Sequence, residues 1–357
     1  MLFRYLFKEV FLTLISLTAI LLLIFMSNQV IIYLNRAAMG IIPGLLVMKL
    51  MLLELPNLLS LLLPLGFYMA LLLAYGRLFA DSEMTVLQAC GYGPGQLLKH
   101  SLCMALMVAI ITSAMMAASP LIAYERAKLL QTTGIQTLIQ TLVPGRFRAA
   151  MGGRNVFYVE SMNRAHTQAF DVFIARLVQE KNVTQWDVVW ANKASLQHDK
   201  TQHEDYLELD HGVKYQGSPG LANYQVAQFD HLRARLPHPN MEVKNDIRTS
   251  DFFSLLPFNN PSRVKAAELQ WRISVPLMVL ILTVVAVPLS RVNPRSGKYA
   301  KLLPAIILYI FYANFMFVSR NWIVSGKIPW WVGLWWLHAS VISLGLFLMW
   351  RQRRMMS

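Results

Sequence analysis

The sequence predicts an α-helical membrane protein with six transmembrane helices and an inserted β domain of sandwich or jelly-roll type. Three observations predict it. Of the 357 residues, 55% are hydrophobic, too many for an ordinary soluble domain. The apolar residues gather in six runs of about 20 residues or more, the length that crosses a hydrocarbon core. Between the third and fourth runs lies a polar block of short, aromatic-rich and branched segments, the signature of strands.

The six runs are about 10–34, 50–75, 101–124, 269–289, 302–322 and 330–350. They divide the chain into 1–124 with spans one to three, 125–268 with the inserted domain and its helical flanks, and 269–357 with spans four to six. The first run carries no small-residue cleavage pattern and is longer than a signal-peptide core of about 7–15 residues, so it reads as a retained span. Charge orients the set. With the N-terminus inside, the inside segments hold eleven Lys and Arg, from Arg4 and Lys8 to Arg353 and Arg354. The short outside loops hold four: Arg36, Lys49, Arg320 and Lys327. The positive-inside rule therefore places both termini in the cytoplasm and the polar block outside.

That block has 17 Lys and Arg against 15 Asp and Glu, so most of the net charge of +14 belongs to the membrane part. A nucleic-acid partner is not indicated, because it requires a concentrated basic face on a soluble domain. The block lacks cysteine, the two in the chain being Cys90 and Cys103, so it folds without disulfides. Strands are expected at "NVFYVES" (155–161), "AFDVFIARLV" (169–178), "WDVVWAN" (186–192) and "DYLELD" (205–210), the last with Leu207 and Leu209 on one face. "HG" at 211–212 and "QGSPG" at 216–220 read as turns. "DVFIARLV" is apolar on both faces, Val172 and Ile174 on one and Phe173, Ala175 and Leu177 on the other. It is either a strand covered on both sides or part of a groove that receives a lipid tail, with Phe173 as a lining candidate.

Catalytic signatures are missing. The chain has no G-x-x-x-x-G-K-[ST], no H-E-x-x-H and no G-x-S-x-G, and the histidines of the block lack metal-ligand spacing. If this protein moves something against a gradient, another subunit supplies the energy. "RLFADSEMTVLQACGYGPGQ" (77–96), between spans two and three, carries a helix pattern over about 82–90. Asp81 or Ser82 is suited to the N-cap, Glu83 to the first turn and Gly91 to the stop, while Met84, Leu87 and Cys90 fall at i, i+3 and i+6. So short a helix is marginal alone and must be held by packing. It is a lipid-surface helix, a connector, or a coupling helix that docks into a motor through Asp81, Glu83, Met84 and Leu87.

Four charges fall near the outer ends of spans: Arg36, Glu54, Arg272 and Arg320. They are interfacial anchors, or they ring an outward cavity in which Arg36, Arg272 and Arg320 meet anionic headgroups. His338, in mid-span six, reads as a neutral histidine facing a neighbouring helix.

The order of three spans, β domain and three spans, with "DSEMTVLQACG" and "ELQWRISVPLMVLILTVVAVPLSRVNPRSGK" (268–298), resembles the lipopolysaccharide export permeases of the LptF/LptG (YjgP/YjgQ) type over essentially the whole chain. "RYLFKEV" and "VNPRSGK" look more like the LptF branch than the LptG branch. The resemblance implies a Gram-negative inner-membrane protein whose inserted domain is a periplasmic β-jellyroll. It implies an ABC exporter subunit paired with LptG, driven by an LptB dimer that carries the ATP and Mg, and joined to LptC and LptA in a periplasmic bridge. No cofactor is expected on this chain. Glu83 matches the family's acidic coupling-helix residue, and Arg320 a basic position where relatives contact the lipid's phosphate or sugar. Relatives often carry cations in the outer part of span one; here Asn28 and Gln29 stand there, and Arg36 comes later. A non-transporting scaffold that docks a periplasmic partner is the alternative.

Overall fold

The computed structural model describes residues 2–38, 42, 44–140, 144–150, 155–163, 168–180, 183–199, 204–218, 224–235, 247–250, 252–255, 262–291 and 301–354. The chain forms two compact units. One comprises 1–31, 48–126 and 244–357, and the other 32–47 and 127–243.

The helices are α1 (Leu2–Ala38), α2 (Gly44–Ala80), α3 (Glu83–Ala89), α4 (Pro94–Gln140), α5 (Arg263–Leu289), α6 (Leu302–Ser325) and α7 (Trp335–Arg354). Five of them, α1, α2, α4, α5 and α6, are long and apolar enough to cross a membrane. Helices suit that solvent because every backbone polar group is satisfied within the segment. The expected apolar runs underestimate the helices: α1 and α2 each reach 37 residues, since backbone hydrogen bonding continues beyond the apolar stretch. Pro56 and Pro64 in α2 and Pro276 and Pro288 in α5 sit inside helices without ending them. The expected sixth run starts late. Trp330–Leu334 form turns, and α7 begins at Trp335 and ends among Arg351, Arg353 and Arg354.

One apolar core joins side chains from α1 through α7, with Phe67, Leu71 and Leu78 of α2 and Val279, Leu282 and Val285 of α5 at its centre. α2 and α5 are the most enclosed helices, whereas α1 and α6 leave most of their apolar surface uncovered. α5 packs on both α6 and α7. Two polar links fix this trio. His338 of α7 is buried, with Nδ1 at 2.7 Å from the Tyr312 hydroxyl and Nε2 at 2.8 Å from Ser274 Oγ. Gln270 of α5 donates to the Trp330 carbonyl, and its Oε1 accepts the Leu334 amide at 3.0 Å.

In the second unit six strands form one antiparallel sheet in sequence order: β1 (Arg148–Ala150), β2 (Asn155–Met162), β3 (Gln168–Glu180), β4 (Val183–Asp199), β5 (Glu204–Gly217) and β6 (Gln225–Arg235). This next-neighbour order is a meander. The strands are also longer than expected. "HG" at 211–212 is not a hairpin end, because β5 runs through it.

His211 marks instead a crease. The ladder lapses once per strand, at Glu160, Asp171, Asn192, His211 and Asp230, which lie across from one another. Asp171 and His211 both have φ of 50°, a left-handed conformation unusual for residues with a side chain. On four of the five strands the apolar side chains step by three across this line, Val159 to Met162, Ala169 to Val172, Ala191 to Ala194 and Phe229 to Leu232, and on β5 the same step leads from Leu209 to Gly212. Two consecutive residues therefore point outward on every strand, and the apolar residues on both sides of the line keep to one face. Because all five strands make the same step, the register survives, and the sheet bends without an edge being exposed at the bend.

Close approach along the crease requires small residues. A Cβ on Gly212 would lie 2.3 Å from the Trp190 carbonyl oxygen and 2.5 Å from the Phe229 ring. Gly212→Val is expected to destabilise the sheet by about 1–3 kcal/mol through overpacking. Limited proteolysis of the full-length protein should show faster cleavage within 155–235 and unchanged cleavage in the helices; unchanged kinetics throughout would contradict a tightly closed crease.

Candidate functional site

Two constellations of the first unit carry the sequence-predicted residues. The first is the corner between α2 and α4. α3 is seven residues long and is preceded by Ser82 at φ 62°, with no side-chain cap bond. Neither Asp81 nor Ser82 thus caps the helix through its side chain. Its C-terminus is well closed: the Gly91 amide donates to Gln88 O and the Tyr92 amide to Leu87 O, both at 3.0 Å, a Schellman ending that needs the positive φ of Gly91 (91°). Burial pushes the Tyr92 phenol up to about 12, so it stays protonated where its hydroxyl meets His100 Nδ1.

Met84 is completely buried and seats the helix in the main core, with Leu87 packed at its margin. Cys90 does not join them and is exposed. The reason is angular. At about 100° per residue, i+3 lies 60° from i but i+6 lies 120° away, and Cys90 already sits at the cap. Asp81, Glu83 and Val86 are exposed. Glu83 is held from behind, because the Tyr5 hydroxyl of α1 donates to its Oε2 at 2.6 Å. Arg77, at the end of α2, pairs with Glu9 one turn along α1 from Tyr5. Sequence reading missed both contacts, since they join residues about seventy positions apart.

The second constellation centres on Glu268, in the second turn of α5. Its Oε1 accepts from Arg272 Nε at 3.0 Å, and its Oε2 pairs with Arg320 of α6. Arg272 also donates to the Ser250 carbonyl at 2.9 Å, and only 2% of its side chain is exposed. Arg320 lies over the Trp271 ring at 5.2 Å, with 28% of its side chain exposed. Arg272 and Arg320 are thus brought together, but by a buried carboxylate. Arg272 is tied into the fold, whereas Arg320 keeps part of its side chain exposed. The i, i+4 spacing of Glu268 and Arg272 was a legible signal for this pair.

The other candidates lie elsewhere. Glu54 is buried and paired with Arg126 of α4, and it accepts from Asn57 at 3.1 Å. Arg36 is exposed in the last turn of α1, where a cation complements the helix C-terminus, and belongs to the second unit. Phe173 is on the face of the sheet opposite Val172 and Ile174. It makes an edge contact with Phe147 at 6.2 Å and pairs across strands with Tyr158 and Trp190. Strand alternation places it, as the sequence indicates, on the face opposite the apolar cluster that holds Val172 and Ile174. Among the described residues no group of His, Cys, Asp and Glu is arranged to hold a metal ion.

Comparison with known proteins decides the family. The model of the lipopolysaccharide export system permease LptF/LptG family matches residues 4–351. The chain belongs to this family. It is 29% identical over 350 residues to the lipopolysaccharide export system permease protein LptF of Escherichia coli K12, covering 97% of this chain and 93% of that protein. The LptF of Shigella flexneri matches to the same extent. Members of the LptF/LptG family are permease subunits rather than enzymes, and this chain, with its five long apolar helices, is a multi-pass membrane protein of that kind.

The two arginines should separate by burial. Arg272→Ala empties an enclosed position, takes this donor from the Ser250 carbonyl and leaves Glu268 one cation instead of two, and is expected to cost about 1–3 kcal/mol. Arg320→Ala, at a partly solvated position, is expected to cost about 1 kcal/mol or less. Thermal unfolding in detergent should place the Arg272→Ala midpoint clearly below that of Arg320→Ala; the reverse order would show that Arg320 is the structural cation.

Proposed function

We propose that the chain is a transmembrane subunit of an ATP-driven exporter that takes lipopolysaccharide from the outer leaflet of the inner membrane and passes it to a periplasmic bridge. It pairs with LptG, is driven by an LptB dimer carrying ATP and Mg, and meets LptC and, through the bridge, LptA. The observation that carries the motor contact is the build of α3. A seven-residue helix would not persist alone, yet this one is anchored by a fully buried Met84 and presents Asp81, Glu83 and Val86 outward. Anchored on one side and acidic on the other, it is suited to receive a push from a separate ATPase.

Six crossings with both termini in the cytoplasm fit the charge distribution. α7 supports the sixth. Its apolar stretch runs from Trp335 to Trp350, with further tryptophans before it and a basic cluster after it, the pattern of interfacial anchors at both ends of a span. The uncovered apolar faces of α1 and α6 are where lipid and a second permease would pack. Arg320 of the first unit would meet the headgroup, and Arg36 of the second unit is a separate candidate for an anionic contact. On the β domain, the apolar face carrying Val172, Ile174 and Leu207, rather than Phe173, would receive acyl chains.

Charge reversal tests the motor contact. Glu83→Arg is expected to lower ATPase-coupled lipid release by about tenfold or more, as for a charge placed against its partner's complement. Tyr5→Phe, which removes only the internal hydrogen bond, should retain ATPase binding. Normal release and normal co-purification of the ATPase with Glu83→Arg would sink the coupling role.

Orientation has its own test. In a Cys103→Ser background, exposed Cys90 should react with a membrane-impermeant maleimide in inverted vesicles and not in spheroplasts. Labelling of spheroplasts would reverse the topology.

A further inference from the structure

We infer that Glu268 is a release latch for the headgroup: its carboxylate competes with the lipid's phosphate for Arg320, and Arg272 keeps that carboxylate neutralised while Arg320 is away. This rests on the reading that Arg320 meets the headgroup.

The geometry argues for exchange rather than a fixed pair. One carboxylate serves two guanidiniums, one per oxygen. Arg272 is on the same helix, fully enclosed and doubly held by Glu268 and the Ser250 carbonyl. Arg320 comes from a different helix, is partly exposed, and rests on the face of Trp271. A buried carboxylate stripped of its only cation is strongly disfavoured. Here the second arginine removes that penalty, because when Arg320 leaves, Glu268 still holds Arg272. The group carries one surplus positive charge, and it resides on the more exposed of the two cations.

A phosphate offers Arg320 a planar two-point contact, stronger than its single contact to Glu268. The phosphate can therefore draw the guanidinium off the carboxylate. The carboxylate, fixed on α5, recaptures it when the cavity changes shape. Trp271 gives the guanidinium a surface to slide on without losing its cation–π support. Glu268 acts through Arg320 and is a positioning residue.

The test uses the complete exporter in lipid nanodiscs, loaded with radiolabelled bis-phosphorylated lipid A, and measures the half-time of retention after dilution into unlabelled lipid. Glu268→Gln removes the competing charge. Glu268→Asp keeps a carboxylate for Arg272, so that the fold survives, but withdraws it from Arg320. Both should lengthen retention at least about fivefold, the low end of coupling between two ligands of one group. Dephosphorylated lipid A should be retained equally by all variants. Arg320→Ala should shorten retention of the phosphorylated lipid only.

Wild-type retention by both Glu268 variants, with retention still shortened by Arg320→Ala, overturns the latch and leaves the headgroup contact standing. The same lengthening for dephosphorylated lipid also overturns it, since phosphate would not be the competitor. No effect of Arg320→Ala overturns the headgroup contact itself and the latch with it.

Discussion

A charge removed from water must bring its partner with it, and the helical unit is organised by that constraint. Glu54 is enclosed because Arg126 and Asn57 reach it, and Glu268 because two arginines do. Each pairing also ties together helices that apolar packing alone would leave free to slide, because Leu and Val contacts tolerate many registers whereas an ion pair tolerates few. Glu54–Arg126 joins α2 to α4, Glu268–Arg320 joins α5 to α6, and Glu9–Arg77 joins the start of α1 to the end of α2. Between identical apolar surfaces in lipid there is little hydrophobic drive to associate. Directional contacts of this kind, with the His338 and Gln270 links of the α5–α7 trio, then decide how the bundle is set.

The β unit meets a different constraint with similar economy. A long sheet with one apolar face has to cover it. Five strands break the ladder along one line, each turning one extra residue outward, and the apolar residues on both sides of that line join one cluster. The inward positions that flank the bend mix small residues (Ala169, Ala191, Ala194 and Gly212) with larger ones (Val159, Val172, Leu209, Phe229 and Leu232), so that small residues on some strands make room for large ones on others. The outward pairs are polar except for Phe170 on β3, and those of the last two strands interlock: His231 meets Asp210 at 2.8 Å, and His211 lies beside Asp230.

Much of this was legible in the chain itself, and the failures have physical causes. Apolar run length located five spans because membrane solvation is read from composition. It misplaced the start of α7 because tryptophan counts as apolar even where Pro329 and Gly333 impose a turn. "DYLELD" was readable as a half-buried strand, and Leu209 is buried while Glu208 and Asp210 face partners on β6. "HG" was not readable as a crease. A glycine after a polar residue signals a turn, and only the matching step on four neighbouring strands reveals a bend. At the corner, Gly91 and Met84 were foreseeable from helix chemistry. The exclusion of Cys90 was not, because an i, i+3, i+6 stripe drifts around the helix. The partner of Arg320 was hidden because Glu268 is fifty-two positions away.

The same comparison separates an enclosed cation from a partly exposed one. Arg272 and Arg320 look equivalent in sequence: each is one basic residue at the end of an apolar run. Burial distinguishes them. Arg272 is spent on the Ser250 carbonyl and Glu268, and removing it unpairs the fold. Arg320 contributes only one hand to the same carboxylate and keeps an open side. A cluster with equal numbers of cations and anions would be electrically closed and inert toward a phosphate. A cluster with two free cations would hold one too tightly to let it go. Two arginines on one glutamate lie between, with a single surplus charge and with Arg320 as the more exposed of the two cations, a balance that suits the proposed binding and release.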